Sequence, residues 1–487
     1  MENQIKQKLN RKFNGSQEKL PIKIVQFGGG NFMRGFTDYI IDQLNKKAGF
    51  NAGIVNVQPT PGGSVHKLEE QDNLYTLFTR GIKKGKIIDE KQVISSIQKS
   101  INPYAQYDEF LDLAKEEELE FIFSNTTETG IAYDETEDQY AGPHKNFPAK
   151  LTVLLYERFK HFNGEPEKGL RIIPCELIED NAFALKDIIL QYAQLWNLDD
   201  SFAQWLEQSN YFHNTLVDRI VPGYPKDDAE MYEEQLDYED QMMVVSEVFL
   251  LFVIQDIKNL KKRIPFDQIN EQILIVDNIQ PYRLRKVRIL NGGHTLMLAP
   301  AILSGKETVK ESIDNPFIGK FLKDAIFNEV NPTLGLDENE LKNFAEEVFD
   351  RFRNPFIKHH LESIALYFVS KFKVRILPSL LGYVETNQKL PLNLTFSLAT
   401  LIRFYHGNFE DKSLPLNDEA TIINRFKEIW LTNDYKRVAE LALSEKSFWD
   451  TDLTQIEGLK DAVEKALWEI DHHDLETAYY NFVQFYS

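Results

Sequence analysis

The chain has 487 residues, of which 43% are hydrophobic and 12% aromatic, and a formal net charge of −20 at pH 7. This length allows two or three domains, each with its own core. The negative charge argues against nucleic acid and anionic membrane surfaces as partners, and no window approaches the ~18 apolar residues of a membrane span. The single cysteine, Cys175, excludes internal disulfides and a cysteine-rich zinc site, which favours the cytoplasm.

The stretch PIKIVQFGGGNFMRGFTDYIIDQL predicts a strand, a glycine turn and a helix. A glycine turn that leads from a strand into a helix presents backbone N–H groups that suit a pyrophosphate. Gly28 and Gly30 fit the first two positions of the G-x-G-x-x-G pattern, whereas Met33 stands at the third. We therefore predict that a dinucleotide cofactor contacts Gly28, Gly30 and the residues that follow the turn, Asn31 and Phe32.

Three later strands end in polar residues that extend this predicted cofactor site. The strand AGIVNVQ ends at Gln58, where an acidic residue would hold the adenosine ribose of NAD, so this position leaves NAD or NADP undecided. The next buried strand is followed by Asn125, Thr126 and Thr127, and a later one by Asn181. Because ligands of open α/β sheets collect at the carboxyl ends of strands, we expect these side chains to line the cofactor crevice. A helix cap is the alternative role for the two threonines.

The stretch PYRLRKVRILNGGHTLMLAPAIL predicts a helix that starts just after Pro281 and lasts until about Pro300. At ~3.6 residues per turn, Asn291 lies about 140° around the helix axis from Lys286 and His294 about 80°, so the three side chains leave one side. The helix is apolar nearly all round, which predicts that it is buried. Desolvation of a buried lysine favours its neutral form, which suits proton transfer near neutral pH.

Two adjacent glycines, Gly292 and Gly293, stand inside this predicted helix. Each costs about 1 kcal/mol of helix stability relative to alanine. A buried helix that accepts this cost usually lets another group approach its backbone closely. The alternative for the whole stretch is a core helix whose lysine pairs with a carboxylate and whose histidine is only hydrogen-bonded.

A dinucleotide-type turn together with a Lys–Asn–His face favours hydride transfer to a carbonyl group. The cofactor would supply the hydride, so the protein must position the ketone, stabilise its oxygen and move one proton. Lys286 can give that proton in reduction and accept it in oxidation. Asn291 can donate a hydrogen bond to the developing oxyanion, and His294 can hold the substrate or tune Lys286.

Other classes of function have partial matches. A Y-x-x-x-K pattern occurs from Tyr156 to Lys160, but the glycine turn has the wrong spacing for the short-chain reductases that use it. His359–His360 and His472–His473 resemble metal-ligand pairs, but adjacent helical residues point about 100° apart and lack the H-E-x-x-H spacing. A dinucleotide-binding sensor without turnover is the non-catalytic alternative, against which the intact Lys–Asn–His set argues.

From Lys286 onward the pattern changes to successive helices with apolar residues at three- and four-residue steps, among them NPFIKHHLESIALYFVSKFK. The fold class that we predict is therefore α/β. A Rossmann-type dinucleotide-binding domain over residues 18–278 is expected to precede a mostly α-helical substrate-binding and catalytic domain over residues 279–487.

The chain resembles the mannitol dehydrogenase family of long-chain polyol dehydrogenases. The matching pieces run in order along the chain and include QFGGGNFMRGF, FSNTTETGI, IIPCELI, TLVDRIV, KVRILNGGH and RFRNPFIKH. KVRILNGGH is the most specific piece, because K-x-x-x-x-N-x-x-H carries catalysis in that family. The resemblance implies Lys286 as general acid/base, Asn291 as oxyanion-stabilising donor and His294 as substrate-positioning group, in a metal-free reaction with NAD.

The resemblance also bears on the substrate. Lys371 falls where the family places a substrate-contacting lysine, and Ser363 stands where mannitol-oxidising members carry an arginine. This difference favours a small-molecule uronate, a keto acid, over a neutral polyol, which stays the alternative. The substrate-binding residues that we predict are Asp218, Lys358, Lys371 and Arg375. The configuration of the keto acid and the oligomeric state, with a monomer among the options, stay open.

Overall fold

The computed structural model describes residues 6–15, 19–63, 65–126, 129–139, 142–270 and 272–486. The chain divides into two compact units. The first comprises Met1–Arg80 and Ile87–Ile279, and the second comprises Gly81–Lys86 and Gln280–Ser487. Within the described ranges, no helix is both long enough and apolar enough to span a membrane.

The first unit is built around a six-stranded sheet. Its strands are, in chain order, β1 (Ile22–Phe27), β2 (Gly53–Val57), β3 (Ile97–Ile101), β4 (Phe121–Ser124), β5 (Arg171–Pro174) and β6 (Tyr211–Phe212). They lie in the order β3-β2-β1-β4-β5-β6, and all neighbours are parallel. The strand order reverses between β1 and β4, where sheets of this type bind dinucleotides at the carboxyl ends of their strands. The predicted Rossmann-type fold is confirmed.

Both faces of this sheet are covered, because alternate residues of a strand point to opposite sides. Val25 and Phe27 of β1 belong to one apolar core, and Ile24 belongs to the other. The helices of the unit are Arg11–Asn14, Asn31–Gly35, Thr37–Ala48, Val65–Glu69, Tyr107–Asp112, Phe147–His161, Asn181–Leu195, Asp200–Ser209 and Ala229–Glu233.

Two three-stranded sheets and one short strand pair complete the strands in this part of the sequence. One sheet has the order Thr215–Asp218, Leu251–Gln255, Ile273–Val276, the other the order Val244–Glu247, Tyr75–Lys83, Lys86–Ile94, and Gln7–Lys8 pairs with Tyr238–Glu239. The apolar run MMVVSEVFLLFVIQD therefore supplies strands to two different sheets. The first of these ends at the buried Glu247, whose backbone carbonyl accepts from the Arg219 guanidinium and whose carboxylate accepts from the Ile220 N–H.

The second unit is mostly helical, as predicted. Its helices are Gln280–Arg285, Gly292–Leu303, Val309–Asp314, Pro316–Asp324, Glu338–Phe352, Leu361–Ile364, Phe368–Arg375, Leu377–Asn387, Leu392–Phe404, Ala420–Trp430, Tyr435–Ser444, Lys446–Trp449, Leu459–His472 and Leu475–Tyr486. Two π-helical segments, Lys286–Asn291 and Ala325–Val330, and a small hairpin, Asn408–Phe409 with Lys412–Ser413, complete it. Helix Gly292–Leu303 is its centre and packs against Leu392–Phe404 and Phe368–Arg375.

The helix expected over NPFIKHHLESIALYFVSKFK is broken. A loop leads into the short helix Leu361–Ile364, and a second helix, Phe368–Arg375, follows. Pro355 disfavours a helical conformation for the residue before it. Tyr367 takes a left-handed conformation with φ 52°, and its N–H donates to the Asn417 carbonyl at 2.8 Å. The prediction of helix from the amphipathic pattern therefore holds for Leu361–Ile364 and Phe368–Arg375, but not for one continuous helix.

Candidate active site

The glycine turn of the first unit joins β1 to helix Asn31–Gly35. Gly28 has φ 116°, and a β-carbon there would lie 2.7 Å from the Asn125 carbonyl oxygen. A β-carbon on Gly29 would collide with the Asn56 side chain. Gly30 differs from both, because its φ is −69° and no atom lies within 4 Å of where its β-carbon would stand. The fold itself requires the first two glycines, whereas Gly30 leaves open space.

This turn fits the pyrophosphate of a dinucleotide. The first N–H groups of helix Asn31–Gly35 have no acceptor inside the helix. The buried Asn56 amide, next to Gly29, has no hydrogen-bond partner in the described part of the chain. Asn31 accepts from Arg34 at 2.8 Å, and Phe32 stacks on Phe36 with ring centroids 4.8 Å apart. One end of the sheet thus combines the open space at Gly30, the first N–H groups of helix Asn31–Gly35 and the unpartnered Asn56 amide.

Gln58 follows β2 and is 3% exposed. Its amide nitrogen donates to the carbonyls of Thr60 at 2.6 Å and Pro61 at 3.2 Å. These two bonds fix the orientation of the amide within its own loop. The Gln58 side chain, at the position predicted to meet the ribose, is therefore uncharged and held by the backbone.

Asn125 and Thr126 follow β4 and are both half-buried. The Asn125 amide donates to the Cys175 carbonyl at 2.6 Å, and the Thr126 N–H donates to the Glu176 carboxylate at 3.0 Å. Thr127, which we expected beside them, lies outside the described residues. The structure brings Asn125 to the glycine turn, because the Asn125 carbonyl is the atom that a side chain on Gly28 would strike.

Asn181 is the first residue of helix Asn181–Leu195 and is fully buried. Its amide nitrogen lies 3.1 Å from the carbonyls of Pro174 and Glu176 and 3.0 Å from the Thr215 hydroxyl, and its oxygen accepts from the Thr215 N–H. These bonds tie the turn after β5 to the strand Thr215–Asp218. Asp218 ends that strand and is half-buried.

In the second unit, the helical stretch predicted around Lys286 is confirmed from Gln280 to Leu303, but its centre is not an α-helix. Lys286–Asn291 forms a π-helical segment, with backbone bonds from residue i to i+5. Such a segment takes more residues per turn than the ~3.6 of an α-helix, so Asn291 points closer to the direction of Lys286 than the 140° expected. Single π-helical turns are frequent at functional sites.

The prediction that Lys286 is buried is wrong. Lys286 is partly exposed, as are Val287 and Arg288, while Ile289 and Leu290 are buried. The apolar pattern of the stretch belongs to its second half, which is the buried part. The first half of the stretch contains Lys286 and Arg288, whose charges keep it at the surface of its unit.

Gly292 and Gly293 admit neighbouring groups close to the helix backbone, as predicted. A β-carbon on Gly292 would lie 3.1 Å from Ile376, and one on Gly293 would lie 3.1 Å from the Phe352 ring. Ile376 directly follows helix Phe368–Arg375 as its C-cap, and Phe352 ends helix Glu338–Phe352. The two glycines therefore let two other helices bring their ends to the Lys286–His294 stretch.

His294 lies among aromatic rings. Its ring centroid is 4.3 Å from that of Phe352 and 4.9 Å from that of His359, which it meets edge to face. Its ring nitrogens make no hydrogen bond to any described residue. Burial lowers the pKa of His294 well below its ordinary value, and the nearby His359, Arg351, Arg375 and Lys371 lower it further. The imidazole is therefore neutral near pH 7 and can both donate and accept.

Lys371 and Arg375 lie four residues apart on one helix and share a face. Arg375 approaches the Asn291 carbonyl at 3.4 Å and the Thr295 hydroxyl at 3.3 Å. The Lys371 ammonium donates to the Ile364 carbonyl at 2.9 Å. Burial lowers the pKa of Lys371, and Arg375 adds to the effect. Lys358 is exposed in the loop that precedes these helices, not on a helix with them.

We call His294, Arg351, His359, Lys371 and Arg375 the His294 cluster. Arg351 and His359 are members that the sequence analysis did not assign to the substrate site. Both belong to the segment around RFRNPFIKH, which carried the family resemblance, and His359 was considered only as a metal ligand. In chemical terms the cluster can bind a small anion, and the Asn291 amide, which bonds to no described residue, can donate to an oxygen.

The structure gives no support, within the described ranges, to a metal site or to short-chain-reductase chemistry. Across the described ranges, no group of three or more His, Cys, Asp or Glu side chains is placed to hold a metal ion. Lys160 of the Y-x-x-x-K pattern pairs with Glu157 at 2.6 Å on a helix surface.

Two family models match the sequence. The mannitol dehydrogenase Rossmann domain matches residues 22–268, and the mannitol dehydrogenase C-terminal domain matches residues 278–471. Altronate oxidoreductase from Escherichia coli O7:K1 (strain IAI39 / ExPEC) is 45% identical over 462 residues, which cover 93% of this chain and 95% of that protein. The altronate oxidoreductase of Shigella flexneri is similar to the same extent.

Solved structures show the same fold. D-sorbitol dehydrogenase in its substrate-free form has a TM-score of 0.79 at 21% identity and covers 97% of this chain and 99% of its own. Pseudomonas fluorescens mannitol 2-dehydrogenase, in a ternary complex with NAD and D-mannitol, has a TM-score of 0.64 at 20% identity and covers 98% and 99%. With both family models matched in order and 45% identity to relatives along nearly the whole length, the chain belongs to the mannitol dehydrogenase family of oxidoreductases.

Proposed function

We propose that this protein reduces the ketone of D-tagaturonate to D-altronate with NADH and catalyses the reverse oxidation. The observation that carries the proposal is the 45% identity to altronate oxidoreductases over 93% of the chain. The Lys286, Asn291 and His294 set supports it, because a ketone reduction needs a proton donor, a donor to the carbonyl oxygen and a group that positions the substrate.

NAD is the proposed cofactor, and it supplies the hydride when bound. The pyrophosphate would bind at Gly28, Gly30, Asn31 and Phe32, and the adenosine ribose at Gln58. The rest of the crevice would be lined by Asn125, Thr126 and Asn181. Open space at Gly30 supports this assignment. Gln58 offers neither an acid to the ribose hydroxyls nor a cation to a 2′-phosphate, so the choice of NAD over NADP rests on the similarity to altronate oxidoreductases.

In the proposed reaction, Lys286 gives a proton to the carbonyl oxygen as the ketone becomes an alcohol. The Asn291 amide donates a hydrogen bond to that oxygen while its negative charge develops. The π-helical segment supports this pairing of roles, because it turns Asn291 toward the direction of Lys286. The neutral imidazole of His294 holds a substrate hydroxyl, which suits a ring whose pKa is lowered.

Lys371 and Arg375 are the proposed partners of the substrate carboxylate, with Lys358 and Asp218 as further substrate contacts. A protein of net charge −20 repels an anion at long range, so local cations must overcome that field. The shared helix face of Lys371 and Arg375 supports the assignment. The exposed Lys358 is the weaker candidate, since solvent screens its charge.

The division of labour that we propose is a cofactor-binding domain over residues 18–278 and a substrate-binding, catalytic domain over residues 279–487. The two family models, which match residues 22–268 and 278–471, support it. A cytoplasmic location is part of the proposal, because the chain has one cysteine and hence no internal disulfide.

The test is a comparison of initial rates of NADH oxidation with tagaturonate, fructuronate and fructose, repeated with NADPH. We expect tagaturonate and NADH to give the highest kcat/KM. Faster reduction of fructuronate would instead assign a fructuronate reductase. Equal or faster reduction of the neutral ketose would assign a mannitol 2-dehydrogenase and contradict the uronate proposal.

A further inference from the structure

Glu176 is a buried carboxylate at the carboxyl end of the main sheet. It follows β5 and is 2% exposed. Its oxygens accept from the Ser124 hydroxyl at 3.0 Å, the Thr126 N–H at 3.0 Å and the Thr126 hydroxyl at 3.1 Å. All these donors are uncharged, and no lysine or arginine of the described ranges donates to it. The three donors favour the ionised carboxylate, and when it is ionised no cation of the described ranges compensates its negative charge.

The Glu176 carboxylate contacts the loop after β4, which is proposed to line the cofactor crevice. The loop runs from Ser124 to Thr126, and its Asn125 carbonyl meets the glycine turn at Gly28. The backbone carbonyl of Glu176 lies 3.1 Å from the Asn181 amide nitrogen, which fixes the position of the acid. The loop after β4 is therefore held on one side by the glycine turn and on the other by Glu176.

The strand order suggests which part of a dinucleotide this loop would meet. A sheet of order β3-β2-β1-β4-β5-β6 consists of two mononucleotide-binding halves, β1 to β3 and β4 to β6. Because the first half carries the glycine turn and the ribose-binding position at Gln58, it takes the adenosine side. The loops after β4 and β5, and with them Glu176, belong to the half that takes the nicotinamide side.

The nicotinamide ring carries a positive charge in NAD⁺ and is neutral in NADH. An uncompensated anion in a poorly solvated environment attracts a nearby cation more strongly than it would in water. It has no comparable attraction for the neutral ring. We propose that the Glu176 carboxylate makes the cofactor crevice bind NAD⁺ more tightly, relative to NADH, than a neutral residue at this position would. The inference rests on the proposed use of NAD.

The first test is Glu176→Gln, which removes the charge and keeps the shape. The new amide oxygen can accept from Thr126, and its NH₂ can donate to the Ser124 hydroxyl. The dissociation constants of NAD⁺ and NADH would be measured by fluorescence titration without substrate. We expect the constant for NAD⁺ to rise about tenfold or more, while that for NADH stays within about twofold. Glu179→Gln, an exposed change of equal charge in the same turn, should leave both constants unchanged.

The second test uses the wild-type protein and covers the case in which the variant fails to fold. Burial raises the pKa of Glu176, against the opposing hydrogen bonds from Ser124 and Thr126. Its titratable neighbour Cys175 stays neutral, because burial and then the Glu176 charge raise the thiol pKa well above its ordinary value. As pH falls and Glu176 takes up a proton, the preference for NAD⁺ relative to NADH should decline.

An equal change in both dissociation constants in Glu176→Gln would assign Glu176 a purely structural role and overturn the inference. An unchanged ratio, in the variant or on acidification of the wild type, would overturn it as well. Failure of the wild type to bind either cofactor would overturn the inference together with the proposed function. Binding of both with a ratio that is insensitive to Glu176 would overturn the inference alone.

Discussion

Adjacent glycines occur in the two regions that we assign to function, and they serve different ends. In the turn Gly28–Gly30, one glycine has a backbone conformation that side chains rarely adopt, and the last leaves space that no protein atom fills. In the helix, a β-carbon on Gly292 or Gly293 would lie 3.1 Å from a neighbouring side chain, so the two glycines admit the ends of other helices. The first region therefore leaves backbone groups and space accessible to a ligand, whereas the second brings side chains of several helices together. Substitutions should therefore separate cofactor binding from chemistry.

The largest effect is expected at Lys286. If this lysine is the proton donor, Lys286→Ala should lower kcat by about 10²- to 10⁴-fold, the range typical of general acid catalysis, while the NADH dissociation constant stays unchanged. Steady-state rates and fluorescence titration would measure the two quantities. Lys373→Ala removes a nearby lysine that pairs with Asp450 and is the matched control. A Lys286→Ala enzyme that keeps more than about a tenth of the wild-type kcat would rule out the assignment.

In the glycine turn we expect the opposite result, a loss of NADH binding. Gly30→Val should raise the NADH dissociation constant by about tenfold or more with little change in melting temperature, because its side chain enters space that only a ligand would occupy. Gly28→Ala should instead lower the melting temperature, since φ is 116° and its β-carbon would meet the Asn125 carbonyl at 2.7 Å. Unchanged NADH affinity in a folded Gly30→Val protein would place the cofactor elsewhere.

A smaller effect is expected where the second region recognises the substrate. A charge-assisted hydrogen bond to a carboxylate contributes roughly 1.5–3 kcal/mol, so Lys371→Met should lower kcat/KM for tagaturonate by about 10- to 150-fold. NADH affinity should hardly change. Lys373→Met, on the same helix, is the control. Equal losses of kcat/KM in both variants would show that the helix rather than the Lys371 charge is responsible.

The last prediction concerns stability and compares two histidines, one in each unit. His213 is fully buried in the first unit and hydrogen-bonded to the Gln255 carbonyl at 2.9 Å, unlike His294. Burial lowers the pKa of His213 to about 4, so between its ordinary value of 6.5 and about 4 the unfolded chain binds the proton more readily. Stability should therefore fall as pH drops through this window, by an order-of-magnitude figure of about 3 kcal/mol from this group.

Denaturant unfolding at neutral and at mildly acidic pH would measure this loss. His213→Gln has no proton to bind in the unfolded chain, so its free energy of unfolding should change less over the same window. If the free energy of unfolding changes equally for wild type and variant, His213 is not the source of the pH dependence.

The two regions also differ in what the sequence could predict. The glycine turn is a local feature, and the strand, turn and helix around Gly28–Gly30 could be predicted from spacing and composition. The Lys286–His294 stretch could be recognised as a helix with polar residues on one side. Its π-helical centre could not, since a one-residue change in hydrogen-bond register leaves the apolar pattern almost unaltered.

The members of the His294 cluster show why the rest of the site was missed. Arg351 and His359 lie far along the chain from His294, and only the packing of helix Glu338–Phe352 and of the loop after it brings them to it. The break at Tyr367 depends on a bond to the distant Asn417 carbonyl, which no local pattern indicates. The exposure of Lys286 was missed because the apolar second half of its helix was extended to the charged first half.

The most direct test of the account is the product formed when the purified protein is incubated with tagaturonate and NADH. We expect one altronate formed per NADH oxidised, tagaturonate to be preferred over fructose, and this turnover to be lost in Lys286→Ala. An enzyme that oxidises no NADH with tagaturonate, or that reduces fructose as efficiently, would contradict it.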